Sequence, residues 1–183
     1  SRYQGQAGQP SCSSCEEGRF SDASKQATCK VCPEGWGSNV GESKCTQCAA
    51  GFFSRGVVDD DGGWIKCKPC TVGSYNSEEG QTSCKVCPSG TFLNVTGSPG
   101  PCLKCPPNTF IADDGQEWDK HRGLLDCLRC KNGTFSNAGS QYCDSCPAGY
   151  RTVQREASYH CAGCEPGTFQ EARESEVCQV CPA

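Results

Sequence analysis

Twenty of the 183 residues are cysteine, and all twenty fall into Cys-x-x-Cys pairs. The pairs begin at Cys12, Cys29, Cys45, Cys67, Cys84, Cys102, Cys127, Cys143, Cys161 and Cys178, and none is left over. Three chemistries use this pattern. Reduced thiolates could hold zinc, two pairs to a four-cysteine site. A single pair of lowered pKa at a helix N-terminus could exchange disulfides. Oxidised, the pairs could instead cross-link the chain. Zinc and redox exchange both need thiolates, so the compartment decides between them and cross-linking. Two Asn-x-Thr sequons, Asn94 and Asn132, fit a glycosylated surface in an oxidising compartment. Ten equivalent pairs without helical periodicity are unlike one redox centre. Disulfides are therefore the expected state, with no metal and no cofactor.

The rest of the composition requires them. Leu, Ile, Val and Phe together supply 24 residues, below the ~20% floor for a packed globular domain. So small an apolar core cannot offset the conformational entropy of ordering the chain, and covalent links must do so. Lys and Arg are scattered and the net charge is −4, which speaks against nucleic acid or an anionic membrane as partner. No apolar stretch approaches the ~20 residues of a membrane span. The polar start at Ser1 fits a secretory signal already removed.

The elements between the pairs repeat as well. Seven of the nine spacings between pair starts are 16, 17 or 18 residues, and the other two, 22 and 25, are insertions in the same frame. Three residues after the second cysteine stands Gly18, Gly35, Gly51, Gly73, Gly90, Gly133, Gly149 or Gly167, with Asn108 as the exception. Asn is the next most tolerant residue of positive φ, so the position calls for left-handed backbone. Two residues on comes an aromatic, Phe20, Phe53, Tyr75, Phe92, Phe110, Phe135 or Phe169; it is one residue early as Trp36 and Tyr150. A second glycine, Gly41, Gly80 or Gly139, precedes several pairs by four residues. Each repeat reads as a turn, a short extended aromatic segment, a second turn and a return to cysteine. One aromatic leaning on one disulfide is the expected core of each repeat. The fold class is small and disulfide-rich, with short β-hairpins, turns and little other regular structure, in an elongated solenoid-like rod of about ten tandem units.

Cys87-Pro88-Ser89-Gly90-Thr91-Phe92 and Cys164-Glu165-Pro166-Gly167-Thr168-Phe169, each followed by Cys-x-x-Cys, resemble the first small loop of TNF-receptor and Eph-receptor cysteine-rich repeats. The resemblance runs from Cys12 to Pro182. It lacks the second, interlocked module with which a TNF receptor alternates this loop. The family loop implies a pairing in which the second cysteine of each pair bonds the first of the next. That ladder is Cys15–Cys29, Cys32–Cys45, Cys48–Cys67, Cys70–Cys84, Cys87–Cys102, Cys105–Cys127, Cys130–Cys143, Cys146–Cys161 and Cys164–Cys178. The rival scheme groups pairs by twos, as in Cys12–Cys29 with Cys15–Cys32. It should make alternate gaps differ in character, whereas the glycine-plus-aromatic signature follows every pair.

Other constellations are poorer. His121 and His160 are the only histidines, lie on unrelated repeats and read as surface residues. The two long gaps carry Asp60-Asp61-Gly62-Gly63-Trp64 and Asp113-Asp114-Gly115-Gln116-Glu117-Trp118. Neither has the alternating oxygen spacing of an EF-hand, and both read as solvated acidic turns. Trp64 and Trp118 in polar loops, and Tyr3 in the arm, are candidate contacts for a protein partner.

No nucleophile, base and orienting group assemble, so no enzyme is expected. An extracellular structural protein is expected, with a ligand-binding segment of a receptor ectodomain as the alternative. Three stretches are distinguished: an arm at 1–11, the tandem repeats at 12–181, and the start of a further turn at 182–183. The ladder leaves Cys12 and Cys181 over. Placing Cys181-Pro182-Ala183 before Ser1-Arg2-Tyr3 puts Tyr3 at the aromatic position and Gly8 four residues before Cys12. The expected partner is thus another copy, head to tail, with Cys181 bonded to the next copy's Cys12 in a filament. Other extracellular proteins are the remaining partners.

Overall fold

In the computed structural model, residues 2–8, 11–23, 25–55, 66–113, 115–131, 133–155, 158–171 and 177–182 are described. Two compact bodies divide the chain, one of Ser1–Lys85 with Val95–Pro101, the other of Val86–Asn94 with Cys102–Ala183.

Each body is a succession of two-stranded antiparallel hairpins. The first contains Arg2–Tyr3 with Ser13–Ser14, Arg19–Phe20 with Lys30–Val31, Trp36–Gly37 with Thr46–Gln47, and Phe52–Phe53 with Lys68–Pro69. The second contains Thr91–Phe92 with Leu103–Lys104, Thr109–Phe110 with Leu128–Arg129, Thr134–Phe135 with Asp144–Ser145, and Thr168–Phe169 with Gln179–Val180. It also holds a longer hairpin, Tyr150–Arg155 with Ser158–Gly163. Such short hairpins are not stable alone. Nine disulfides in tandem close them: Cys15–Cys29, Cys32–Cys45, Cys48–Cys67 and Cys70–Cys84 in the first body, then Cys87–Cys102, Cys105–Cys127, Cys130–Cys143, Cys146–Cys161 and Cys164–Cys178 in the second.

The turn after each second cysteine has one geometry throughout. In the second repeat the Trp36 N–H donates to the Pro33 carbonyl at 3.1 Å, and Gly35 between them has φ of 75°. An i to i+3 hydrogen bond with positive φ only at i+2 is a type II turn. All eight glycines of the column share that sign, and Asn108 has φ of 65°. The left-handed position read from the sequence is thus present in every repeat. Where the following residue is Thr, its hydroxyl donates to the same turn carbonyl, as from Thr91 to Pro88 at 2.6 Å and Thr109 to Pro106 at 2.6 Å.

Stacking of one repeat on the next uses a column of residues six positions after each second cysteine. Ser21, Ser38, Ser54, Asn76, Ser136 and Gln170 occupy it and are buried. Their carbonyls accept from the turn residue of the preceding repeat: Gly18 N–H to Ser38, Gly35 to Ser54, Gly51 to Asn76, Asn108 to Ser136 and Gly149 to Gln170. Side chains add a second tie, with the Ser38 hydroxyl donating to the Arg19 carbonyl at 2.9 Å, Asn76 Nδ2 to Phe52 at 2.9 Å and the Ser136 hydroxyl to Thr109 at 2.7 Å. Ser38, Asn76 and Ser136 are tolerated inside because their side chains are hydrogen-bonded there.

The aromatics, by contrast, are not the core. Tyr150 is exposed and the other early aromatic, Trp36, is half-buried, as are Phe20, Phe53, Tyr75, Phe110, Phe135 and Phe169; Phe92 is buried. Of the eleven buried hydrophobic residues among those described, eight are cysteines. A hairpin of two residue pairs covers little of a phenyl ring, and Phe92 is enclosed because it clusters with Ile111, Cys105 and Cys127.

Contacts also reach beyond the next repeat. A methyl group on Gly35 would lie 2.0 Å from the Gly80 carbonyl oxygen, and Gly51 meets Gly97 and Gly90 meets Gly139 in the same way at 2.1 and 2.2 Å. The second glycine of one repeat therefore folds over the first glycine of the repeat two before it. A methyl group on Gly149, which has the same positive φ, would meet nothing within 4 Å. Gly35→Ala should therefore cost on the order of 3 kcal/mol, from left-handed strain plus a clash that only backbone movement relieves. Gly149→Ala should cost about 1–2 kcal/mol, from strain alone. Local hydrogen exchange at Cys48 and Cys164, whose N–H groups bond to the Gly35 and Gly149 carbonyls, reads the two costs. Equal losses at the two sites would contradict the close approach.

Candidate interaction surface

The sixth repeat departs from the pattern, and its departures build the surface with most to offer a partner. Position six here is Ile111 and in the fifth repeat Leu93, both buried where a polar residue stands elsewhere. Phe92, Ile111 and the Cys105–Cys127 disulfide cluster beside them. Ile111 has no group to donate to the carbonyl of Thr91, which occupies the place that Arg19, Phe52 or Thr109 holds in other repeats.

The inserted loop supplies the missing donor. His121 is fully buried, with Nδ1 2.6 Å from the Thr91 carbonyl oxygen and Nε2 2.6 Å from Asp113 Oδ2. A carbonyl only accepts, so Nδ1 carries a proton and donates. Nε2 then either donates to a carboxylate or accepts from a carboxylic acid. In either form the pair holds one proton more than a neutral imidazole and a carboxylate would. The Asp113 side chain is 2% exposed. Backbone bonds complete the pin: Leu93 N–H donates to the His121 carbonyl at 2.8 Å, and the Ser89 hydroxyl donates to the Asp113 carbonyl at 2.6 Å. The expectation of a surface histidine and a solvated acidic turn is thus corrected for His121 and Asp113. The physical reason is the apolar residue at position six. His160, the other histidine, is half-buried on the strand Ser158–Gly163 opposite Val153.

Beyond the pin the loop forms two 3-10 turns, Trp118–Lys120 and Leu124–Asp126. Asp126 Oδ2 accepts from the Gly123 N–H at 2.9 Å and holds the second turn. Lys120 pairs with Glu117, and that hydrogen bond raises its pKa above the ordinary lysine value. Apolar side chains crown the loop: Trp118 and Leu124 are exposed and Leu125 is 97% exposed, with Leu128 exposed on the strand that follows. Exposed apolar groups held on a pinned backbone lose little freedom on binding.

The other residues singled out from the sequence lie apart from this loop. Asn94 is exposed and open to a glycan. Tyr3 is half-buried on the strand Arg2–Tyr3, opposite Ser13. Trp64, the acidic run at 60–63 and Asn132 lie outside the described residues. Cys12 and Cys181 are exposed free thiols. Among the described residues no group of three His, Cys, Asp or Glu side chains could hold a metal ion. No helix of the described residues is long and apolar enough to cross a membrane.

Comparison with known proteins gives this architecture a context. The family described as tyrosine-protein kinase ephrin type A/B receptor-like matches residues 61–100. Signal peptide, CUB and EGF-like domain-containing protein 2 of Danio rerio is 30% identical over 169 residues, covering 81% of this chain and 15% of that protein. Laminin subunit alpha-1 of Mus musculus is 30% identical over 159 residues, 74% of this chain and 5% of that protein. Ephrin type-B receptor 1 of Gallus gallus is 30% identical over 97 residues, 51% of this chain and 9% of that protein. The chain thus spans a small part of the relatives it matches. The Eph-receptor side of the resemblance is the side that these matches support. Tandem disulfides together with these relatives identify the chain as an extracellular cysteine-rich repeat protein whose residues 61–100 match the ephrin-receptor-like family.

Proposed function

We propose that the chain is a non-enzymatic structural segment, a spacer built by stacking one disulfide-closed hairpin and continued head to tail through Cys12 and Cys181. The observation that carries this reading is the fold of the N-terminal arm. Arg2 and Tyr3 pair with Ser14 and Ser13 in the register that Arg19 and Phe20 make with Val31 and Lys30. Gly8 has φ of 83°, at the place of the second glycine of other repeats. The arm is therefore shaped as the closing half of a repeat, with Cys12 exposed where that repeat's disulfide would form. At the other end Cys181 N–H bonds to the Gly167 carbonyl, as Cys32, Cys48, Cys70, Cys105 and Cys164 bond to their turn glycines, and its thiol is also exposed. Joined copies are either separate subunits or parts of one continuous chain. Heterologous contacts generate fibres where their rotation does not close into a ring.

A direct trial expresses two copies of 1–183 in tandem and maps the junction. The account expects a Cys181–Cys12 disulfide across the join and protected amides at Arg2 and Ser14 to match those at Arg19 and Val31. Two thiols that stay alkylatable at the junction under oxidising refolding would contradict it.

The receptor-ectodomain reading is favoured by one separate observation, the pinned loop bearing Trp118 and Leu125. It expects a protein ligand that protects this loop. Substituting Trp118→Ala and Leu125→Ser should then weaken that binding at least tenfold, with the hairpins unchanged.

A further inference from the structure

The eighth repeat leaves open a space that three other repeats fill. In the fourth, fifth and seventh repeats the second glycine folds back over a turn glycine two repeats earlier, leaving no room there for a side chain. The eighth repeat has Ala157 in place of that glycine. Its strands Tyr150–Arg155 and Ser158–Gly163 instead pair through six residues each. The turn two repeats earlier is that of Asn108, which is where the glycine column carries a side chain. A cleft of about 250 Å³ results, lined by Asn108, Lys131, Thr134, Thr152, Gln154 and Tyr159. Asn108 Oδ1 is buried and meets no hydrogen-bond partner. A buried acceptor left in that state costs stability, and a ligand donor removes the cost.

We propose that this cleft binds one acidic saccharide unit of an extracellular glycan, a hydroxylated ring bearing a carboxylate. The volume is under the ~300–1,000 Å³ of drug-sized sites and suits a single ring. Apart from Tyr159, these side chains end in an amide, a hydroxyl or an ammonium, which is the complement of a polyhydroxylated ring. Asn108 Oδ1 accepts from a ring hydroxyl, Lys131 meets the carboxylate, and Tyr159 offers its ring to a sugar face. A peptide side chain would seek an apolar anchor pocket, which this lining lacks.

Isotope-labelled protein titrated with a hyaluronan tetrasaccharide, neutral cellotetraose and an acidic tetrapeptide tests the assignment. The tetrasaccharide should shift the Asn108 side-chain amide and Tyr159, with cellotetraose at least tenfold weaker. Asn108→Gly should weaken binding about tenfold, the effect of one hydrogen bond to a buried acceptor. That variant restores the residue every other repeat carries and should fold at least as well. Lys131→Ser should abolish the preference for the acidic sugar. No shift at millimolar tetrasaccharide, unchanged affinity in Asn108→Gly, equal binding of the neutral sugar, or tighter binding of the peptide would each overturn the assignment.

Discussion

Reduction at neutral pH without denaturant unfolds both bodies, whereas heating the oxidised protein with its two free thiols blocked leaves most hairpins protected. Each rung closes a loop of 13 to 22 residues. In the chain-entropy account a loop of this length contributes about 3 kcal/mol. Nine such rungs outweigh the ~5–15 kcal/mol net stability of an ordinary domain, so nothing remains to hold the chain once they are cut. The packing agrees, since among the described residues the three buried hydrophobic side chains that are not cysteine, Phe92, Leu93 and Ile111, all lie in the fifth and sixth repeats. Circular dichroism and hydrogen exchange before and after reduction give the answer. Hairpin amides that stay protected in the fully reduced chain would mean that hydrogen bonds and side-chain packing suffice, contrary to this account.

His121→Ala carries the next largest expected effect. It strands the Thr91 carbonyl and the Asp113 carboxylate, the latter 2% exposed, beside an apolar cluster. Removing the ring leaves two buried polar groups without their partner, at about 1–3 kcal/mol each and more for a charged one. Asp113→Asn is the informative companion. Its amide donates to Nε2 while Nδ1 keeps its proton for Thr91, so both ring nitrogens stay paired without the extra proton. That variant should cost no more than about 1 kcal/mol. The readout is exchange of the Leu93 N–H, which bonds to the His121 carbonyl. Disulfides on either side keep the loss local, and a ladder held by separate rungs has no single global unfolding free energy to measure. Equal damage from the two substitutions would show that the carboxylate, not the shared proton, holds the loop.

Much of this architecture is legible in the sequence because its strongest constraints are steric. Only Gly or Asn accepts the left-handed turn position, so the column from Gly18 to Gly167 with Asn108 exposes every turn. Cysteine spacing likewise exposes every hairpin. What stayed hidden depends on partners. Ser38, Asn76 and Ser136 recur at a fixed distance from cysteine, but a small polar residue reads as exposed until its acceptor is known. His121 belongs to the same logic. Its signal was the gap in that polar column at Leu93 and Ile111, which left one buried carbonyl in need of a donor from elsewhere. The aromatic column misled in the opposite direction, since Phe and Tyr suggest a core while the two-residue strands leave every one of them but Phe92 partly in solvent. Approaches such as Gly35 to Gly80 join repeats two apart and leave no trace beyond a second glycine.

The ladder itself is tested most directly by mass spectrometry of peptides cut without reduction. Cys32 and Cys45 distinguish the two pairings within one small region. The structure places them together, with Cys48 joined to Cys67, and the same order runs to Cys164–Cys178. The account predicts peptides linked only in this second-to-first order, with Cys12 and Cys181 outside it. Finding Cys12 linked to Cys29 and Cys15 to Cys32, and so on by twos, would contradict it.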